Sequence, residues 1–205
     1  MVRLGTAVES SRAALLLLHG RNAGPENILE LARLLPEPAF TYLAPAAANG
    51  SWYPYSFLSE LTRNEPFLSA ALERVDRLLA ELELQGVPRR RTVLLGFSQG
   101  GCLAAEYAVR HASRLGGVIV LSGGLIGPPG TEWRFGGDFA GTPVLLGCSD
   151  SDPHIPRDRV AESARVFERM GAAVTERIYS GLGHQVNDDE LEFTRRLLRQ
   201  VALTE

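Results

Sequence analysis

Two hydrophobic rhythms alternate along the chain. Residues 13–18 (AALLLL) are continuously apolar and run into His19, Gly20 and then Gly24-Pro25. That is the pattern of a strand buried on both faces that ends in a loop. Pro25 suits a first helical turn, and Ile28, Leu31, Leu34 and Leu35 recur behind it at helical spacing. A second short strand is read at 40–44 (FTYLA), stopped by Pro45. From Pro66 to about Gln85, the positions Phe67, Leu68, Ala71, Leu72, Val75, Leu78, Leu79 and Leu82 trace one face of an amphipathic helix, which Gly86 and Pro88 end. Strands follow at 92–96, 117–122, 143–147 and 173–179. Helices follow at 99 to about 111, at 157–170 before Gly171, and at 188–202, the last with acidic residues in its first turn. Residues 3–9 add a candidate antiparallel edge strand. Short buried strands alternating with longer helices predict an α/β fold, a mainly parallel sheet with helices on both faces. Between Pro45 and Pro66 both rhythms lapse. Trp52, Tyr53, Tyr55 and Phe57 fall in that loop, where aromatic rings either wall a pocket or cover one end of the core.

Composition narrows the picture. A chain of 205 residues, 45% hydrophobic and 22% charged, suits one globular domain spanning 1–205. The net charge of −3 offers a polyphosphate no basic surface, so nucleic-acid binding is not expected. Two cysteines without CxxC spacing, and only four histidines, argue against a disulfide framework and a structural metal site. Reduced thiols point to the cytoplasm. The apolar run at 13–18 is too short to cross a bilayer and lacks the basic flank of a signal peptide.

Chemistry enters at Gly96-Phe97-Ser98-Gln99-Gly100-Gly101, which fits G-x-S-x-G directly after a strand and directly before a helix. Serine on such a tight turn projects its hydroxyl from the end of the sheet, and the small residues around it let strand and helix pass closely. A serine nucleophile needs a base. The chain order expected with this motif is serine, then acid, then histidine, and His184, in Gly181-Leu182-Gly183-His184, is the histidine placed late enough. His111 sits near a helix C-terminus, an ordinary place for a surface cation, while His19 and His154 precede His184 in the chain. The acid is Asp150 or Asp152, both of which follow the strand at 143–147. Asp152 is preferred because Pro153 holds its backbone extended and aims its side chain, whereas Asp150 suits a loop-bracing role. The amide of Gln99 and that of Arg21, in the loop after the first buried strand, are the expected oxyanion donors. The Arg21 side chain either attracts an acidic substrate or is simply solvated.

Taken in order, His19-Gly20, Gly96-Phe97-Ser98-Gln99-Gly100-Gly101, Asp152-Pro153-His154-Ile155-Pro156 and Gly183-His184 resemble the motifs of the phospholipase/carboxylesterase family of α/β-hydrolases. That branch includes carboxylesterases, lysophospholipases and acyl-protein thioesterases. The resemblance runs from about residue 13 to the C-terminus. It implies an α/β-hydrolase fold with about seven strands and no large cap domain, no cofactor, and frequently a homodimer. It also implies Ser98 as nucleophile, Asp152 as acid, His184 as base, and the Arg21 and Gln99 amides as the oxyanion hole. Acyl-protein thioesterases carry Gly-Asp where this chain has Asn22-Ala23, and an acidic residue where Pro54 follows Trp52-Tyr53. These departures favour a small-molecule esterase acting on short-chain carboxylic esters. Its expected pocket comprises Trp52, Tyr53, Tyr55, Phe57 and Leu125, with His154 either lining the pocket or serving as a loop residue. A thioesterase or lysophospholipase acting on longer chains is the enzymatic alternative, and a binding protein that keeps the fold without catalysis is the other. Dienelactone hydrolases share the fold but use a cysteine nucleophile, and Cys102 lies beyond the elbow, on the helix.

Overall fold

The computed structural model describes residues 1–204. Seven strands form one sheet: β1 (Val2–Gly5), β2 (Ala13–Leu18), β3 (Phe40–Ala44), β4 (Thr92–Phe97), β5 (Gly117–Leu121), β6 (Pro143–Ser149) and β7 (Ala173–Tyr179), in the order β1-β3-β2-β4-β5-β6-β7. Every neighbouring pair is parallel except β1 with β3. The helices are α1 (Pro25–Arg33), α2 (Leu61–Asn64), α3 (Phe67–Leu84), α4 (Gln99–Arg110), α5 (Arg157–Arg169) and α6 (Asp188–Leu203).

The period-two alternation of strand side chains separates two cores. Leu15 and Leu17 of β2 face Ile28, Leu29 and Ala32 of α1 and share their cluster with Leu197 and Leu198 of α6. Ala14, Leu16 and Leu18 face the opposite way, toward α3, α4 and α5. Both faces of β2 are thus covered, which is why its sequence is apolar without interruption.

Strand order positions the site. From β2 the chain steps outward to β3, then crosses back to β4 on the other side of β2. The loops leaving β2 and β4 therefore diverge to opposite faces, opening a crevice at the carboxyl ends where α/β proteins receive ligands. Register brings the ends level, with Leu18 opposite Gly96 and Phe97 opposite Leu121. The segments over that edge carry only the short turn Ala48–Gly50 and α2 before α3, so no cap domain covers it among the described residues.

Several boundaries depart from expectation. The edge strand is antiparallel as read, but it spans Val2–Gly5 rather than 3–9, and Val8 turns into the core within a 3-10 turn. Helix α1 stops at Arg33, leaving Leu34 half exposed while Leu35 is buried. Phe67 is 57% exposed, so the apolar stripe of α3 begins at Leu68. Strands β4 and β6 continue to Phe97 and Ser149, because their neighbours extend the ladder past the apolar run.

Candidate active site

Ser98 occupies the turn from β4 into α4 with φ 56° and ψ −121°, a backbone conformation few residues other than glycine accept. Its neighbours make the turn possible. A Cβ at Gly96 would overlap the Gly100 carbonyl, and one at Gly100 would overlap the Leu18 carbonyl of β2. The turn is pinned from both sides: Ser98 N–H donates to Leu121 O (2.9 Å) and Ser98 O accepts from Cys102 N–H (2.9 Å).

His184 bridges Ser98 and Asp152. Its Nε2 lies 2.9 Å from Ser98 Oγ, and its Nδ1 lies 2.7 Å from Asp152 Oδ2. The Asp152 side chain is fully buried and that of His184 is 20% exposed. Asp152 Oδ1 accepts the amides of His154 (2.8 Å) and Ile155 (3.1 Å). Burial pushes this carboxyl up, but the hydrogen bond to His184 and those two amides outweigh it and hold the group below its ordinary value. Cys148 Sγ stands 3.7 Å from Asp152 Oδ2. Burial, reinforced by the nearby Asp152 charge, raises that thiol to about 12, so it remains a neutral donor.

The histidine loop is braced from the acid loop. Ser149 Oγ accepts Gly183 N–H (3.0 Å) and Asp150 Oδ1 accepts Gly181 N–H (2.8 Å). Asp150 therefore ties two loops together while Asp152 reaches the imidazole. Phe97 lies against one side of the His184 ring, centroids 4.9 Å apart, and His154 meets it edge-on at 4.8 Å.

Opposite His184, the amides of Arg21 and Gln99 have no acceptor among the described residues. Gln99 opens α4, where a first-turn N–H has no intrahelical partner and the helix dipole is positive. The Arg21 loop is held from beneath. His19 Nε2 accepts Ala47 N–H (3.0 Å), leaving Nδ1–H to donate to Gly20 O (2.8 Å). Trp52 Nε1 donates to His19 O (2.8 Å), and the Gln99 side chain accepts Trp52 N–H (3.1 Å) and donates to Tyr53 O (2.7 Å). The Arg21 guanidinium donates to Pro54 O and Tyr55 O, each at 2.7 Å, which holds the side chain at the edge of the site.

A cavity of about 770 Å³ opens above Ser98 and His184; Tyr53, Tyr55, Phe57 and His154 are on its wall. Two expected wall residues are elsewhere. Trp52 is buried beneath the Arg21 loop and borders a separate, smaller cavity, and Leu125 is fully enclosed in the core. Cys102 is 1% exposed, and burial raises its thiol to about 12, unsuited to a nucleophile. His111 stacks on Tyr107 at 4.6 Å, remote from this cavity. No group of three or more metal-ligating side chains occurs among the described residues. Sequence reasoning missed Ser149, Cys148 and the Gln99 side chain; only Gln99 carried a signal, as the variable position of G-x-S-x-G.

A family model described as Phospholipase/Carboxylesterase matches residues 6–202. The crystal structure of a phospholipase/carboxylesterase from Dyadobacter fermentans DSM 18053 superposes with a TM-score of 0.92 at 38% identity, covering 97% of this chain and 95% of that one. Acyl-protein thioesterase 1 of Eremothecium gossypii is 26% identical over 219 aligned positions, 95% of this chain and 92% of that protein. Acyl-protein thioesterase 1 of Gibberella zeae is 32% identical over 124, and the match spans half the length of that relative. The carboxylesterase of Bacillus cereus shares the fold, with a TM-score of 0.77 at 22% identity.

Proposed function

The chain belongs to the phospholipase/carboxylesterase family, and within it we propose a serine carboxylesterase that hydrolyses small, short-chain esters through an acyl-enzyme on Ser98. His184 Nε2 takes the Ser98 proton as Oγ attacks the carbonyl carbon, and the Arg21 and Gln99 amides receive the oxyanion. Asp152 holds the imidazole in the tautomer that presents Nε2 to serine and stabilises the imidazolium. Collapse of the intermediate breaks the ester bond, and His184 returns the proton to the departing alcohol. Water then attacks the acyl-enzyme by the same route, releasing the acid and free Ser98. The observation that carries this reading is the unbroken chain from Ser98 Oγ through His184 to Asp152, facing two unpartnered amides across one cavity.

Ser98→Ala is expected to reduce kcat on p-nitrophenyl butyrate to below about a thousandth of wild type while substrate binding persists. A fluorophosphonate probe should label wild type on Ser98 and leave the variant unlabelled. Full activity in Ser98→Ala would sink the assignment, and a wild type neither labelled nor active would favour a binding protein.

The relatives named acyl-protein thioesterase favour a second reading, a thioesterase on longer chains using the same residues. The Asn22-Ala23 pair and Pro54, which depart from the acyl-protein thioesterase pattern beside the cavity, support the short-chain reading instead. Across acetyl, octanoyl and palmitoyl oxygen esters and thioesters, kcat/KM should peak at the short end, whereas a palmitoyl optimum would transfer the assignment. No helix among the described residues is long and apolar enough to cross a membrane. We place the enzyme in the cytoplasm on its two free, buried thiols.

A further inference from the structure

The charge on the cavity wall is one-sided. None of the residues lining it carries a carboxylate, whereas the Arg21 guanidinium does line it. The Arg21 guanidinium donates only to the neutral carbonyls of Pro54 and Tyr55, so its charge has no counter-ion among the described residues. Those two bonds also fix the cation at the rim instead of letting it swing into solvent. A second cation stands beside it: Arg63 Cζ lies 4.4 Å from the centroid of the Tyr55 ring, itself on the cavity wall, and Arg63 likewise has no acidic partner. No acidic side chain is part of the cavity wall. Asp152 is buried beneath His184 and bonded to it, Asp150 is bonded to Gly181, and Glu26 in the first turn of α1 is not part of the wall. The whole chain carries −3, so this rim runs against the overall charge.

We propose, resting on the esterase reading above, that the preferred substrates are short esters bearing a free carboxylate, such as half-esters of small dicarboxylic acids, with the carboxylate held at the Arg21 rim while the ester carbonyl lies at Ser98. Arginine forks match carboxylates, and a cleft of one charge sign concentrates ligands of the other. The aromatic walls contributed by Tyr53, Tyr55 and Phe57 accommodate the few methylenes between the two groups.

The test compares monoethyl glutarate with its neutral counterpart, in which a carboxamide replaces the free carboxylate, by following ethanol release. At low salt, wild type should favour the carboxylate ester by about tenfold in kcat/KM, and 0.5 M NaCl should reduce that ratio to below about threefold. Arg21→Gln keeps the backbone amide but removes the charge and should bring the ratio close to one. If that variant disturbs the aromatic loop, the wild-type salt dependence reads the same field with no substitution at all, and Arg63→Gln, which removes the neighbouring charge, should lower the ratio as well. A ratio near one in wild type, with Ser98-dependent hydrolysis of the carboxamide ester intact, overturns this inference and leaves the esterase reading standing. Hydrolysis of neither ester, with no fluorophosphonate adduct, overturns both.

Discussion

Asp152 receives more hydrogen bonds than the orientation of one imidazole requires. Besides His184 Nδ1 it accepts two backbone amides on its other oxygen, and the Cys148 thiol stands beside Oδ2. Each contact favours the charged form, so the carboxylate stays ionised into mild acid despite its burial. Because the folded-state value is depressed, the stability it contributes is present above the ordinary carboxylate value and is lost as pH falls through the lower, folded one. Replacement by asparagine keeps the shape but lets the amide favour the wrong imidazole tautomer. Asp152→Asn should lose about 10³–10⁴ in kcat. Asp150→Asn retains an acceptor for Gly181 N–H and should lose less than about tenfold, and steady-state assays of the two variants side by side separate the roles. Ser98, His184 and this choice of acid were legible because each depends on residue type, chain order and an adjacent glycine or proline. The misplacement of Trp52 and Leu125 has a different origin. An aromatic or aliphatic side chain serves a wall or a core equally well, and only the path of the loop decides which.

At the scale of elements, the close passage of β2, β4 and α4 sets what the serine turn tolerates. Gly100 abuts the Leu18 carbonyl of β2, a backbone atom that cannot yield as a side-chain tip would. Gly86, just after α3, has φ +92° and nothing within 4 Å of where a Cβ would sit. Alanine therefore meets two different costs. Gly100→Ala must push helix from strand and should cost at least about 3 kcal/mol or prevent folding. Gly86→Ala meets only left-handed backbone strain, about 1 kcal/mol. Urea unfolding of both variants checks the contrast, and equal losses would refute the packing argument. The five inner strands and the long helices were legible because each buries a stripe or a full face, which the hydrophobic rhythm records. The limits of β1 were not, since an edge strand with mostly exposed side chains leaves no such record. Nor was the turn at Ala48–Gly50, which carries no buried residue.

For the molecule as a whole, stability against pH turns on a buried acid outside the candidate active site. Glu190 sits in the first turn of α6, where its Oε2 accepts the Asn187 amide (2.9 Å). The helix docks onto the sheet directly over Gly147 of β6, leaving Oε1 buried without a partner. Burial, aided by the charge of Asp189, raises this carboxyl to about 7. Acidic residues opening α6 were legible as partners of its dipole, but which of Asp188, Asp189 and Glu190 is buried depends on how the helix meets the sheet. Glutamate in the unfolded chain titrates near 4.3. Between that value and about 7 the folded state therefore binds more protons than the unfolded state, so stability falls as pH rises through this window. The full effect is on the order of 3 kcal/mol. Glu190→Gln keeps an acceptor for Asn187 N–H and removes the titration. At pH 4, just below the unfolded-chain value, Glu190 is protonated in the fold and mostly so in the unfolded chain, and the two proteins should have similar urea midpoints. By pH 8 the variant should be the more stable, by up to about that amount. Midpoints measured at half-unit intervals give the difference between the two proteins as a curve. Other titrating groups largely cancel in that difference, so a flat curve would mean that Glu190 is not the group that couples the docking of α6 to pH.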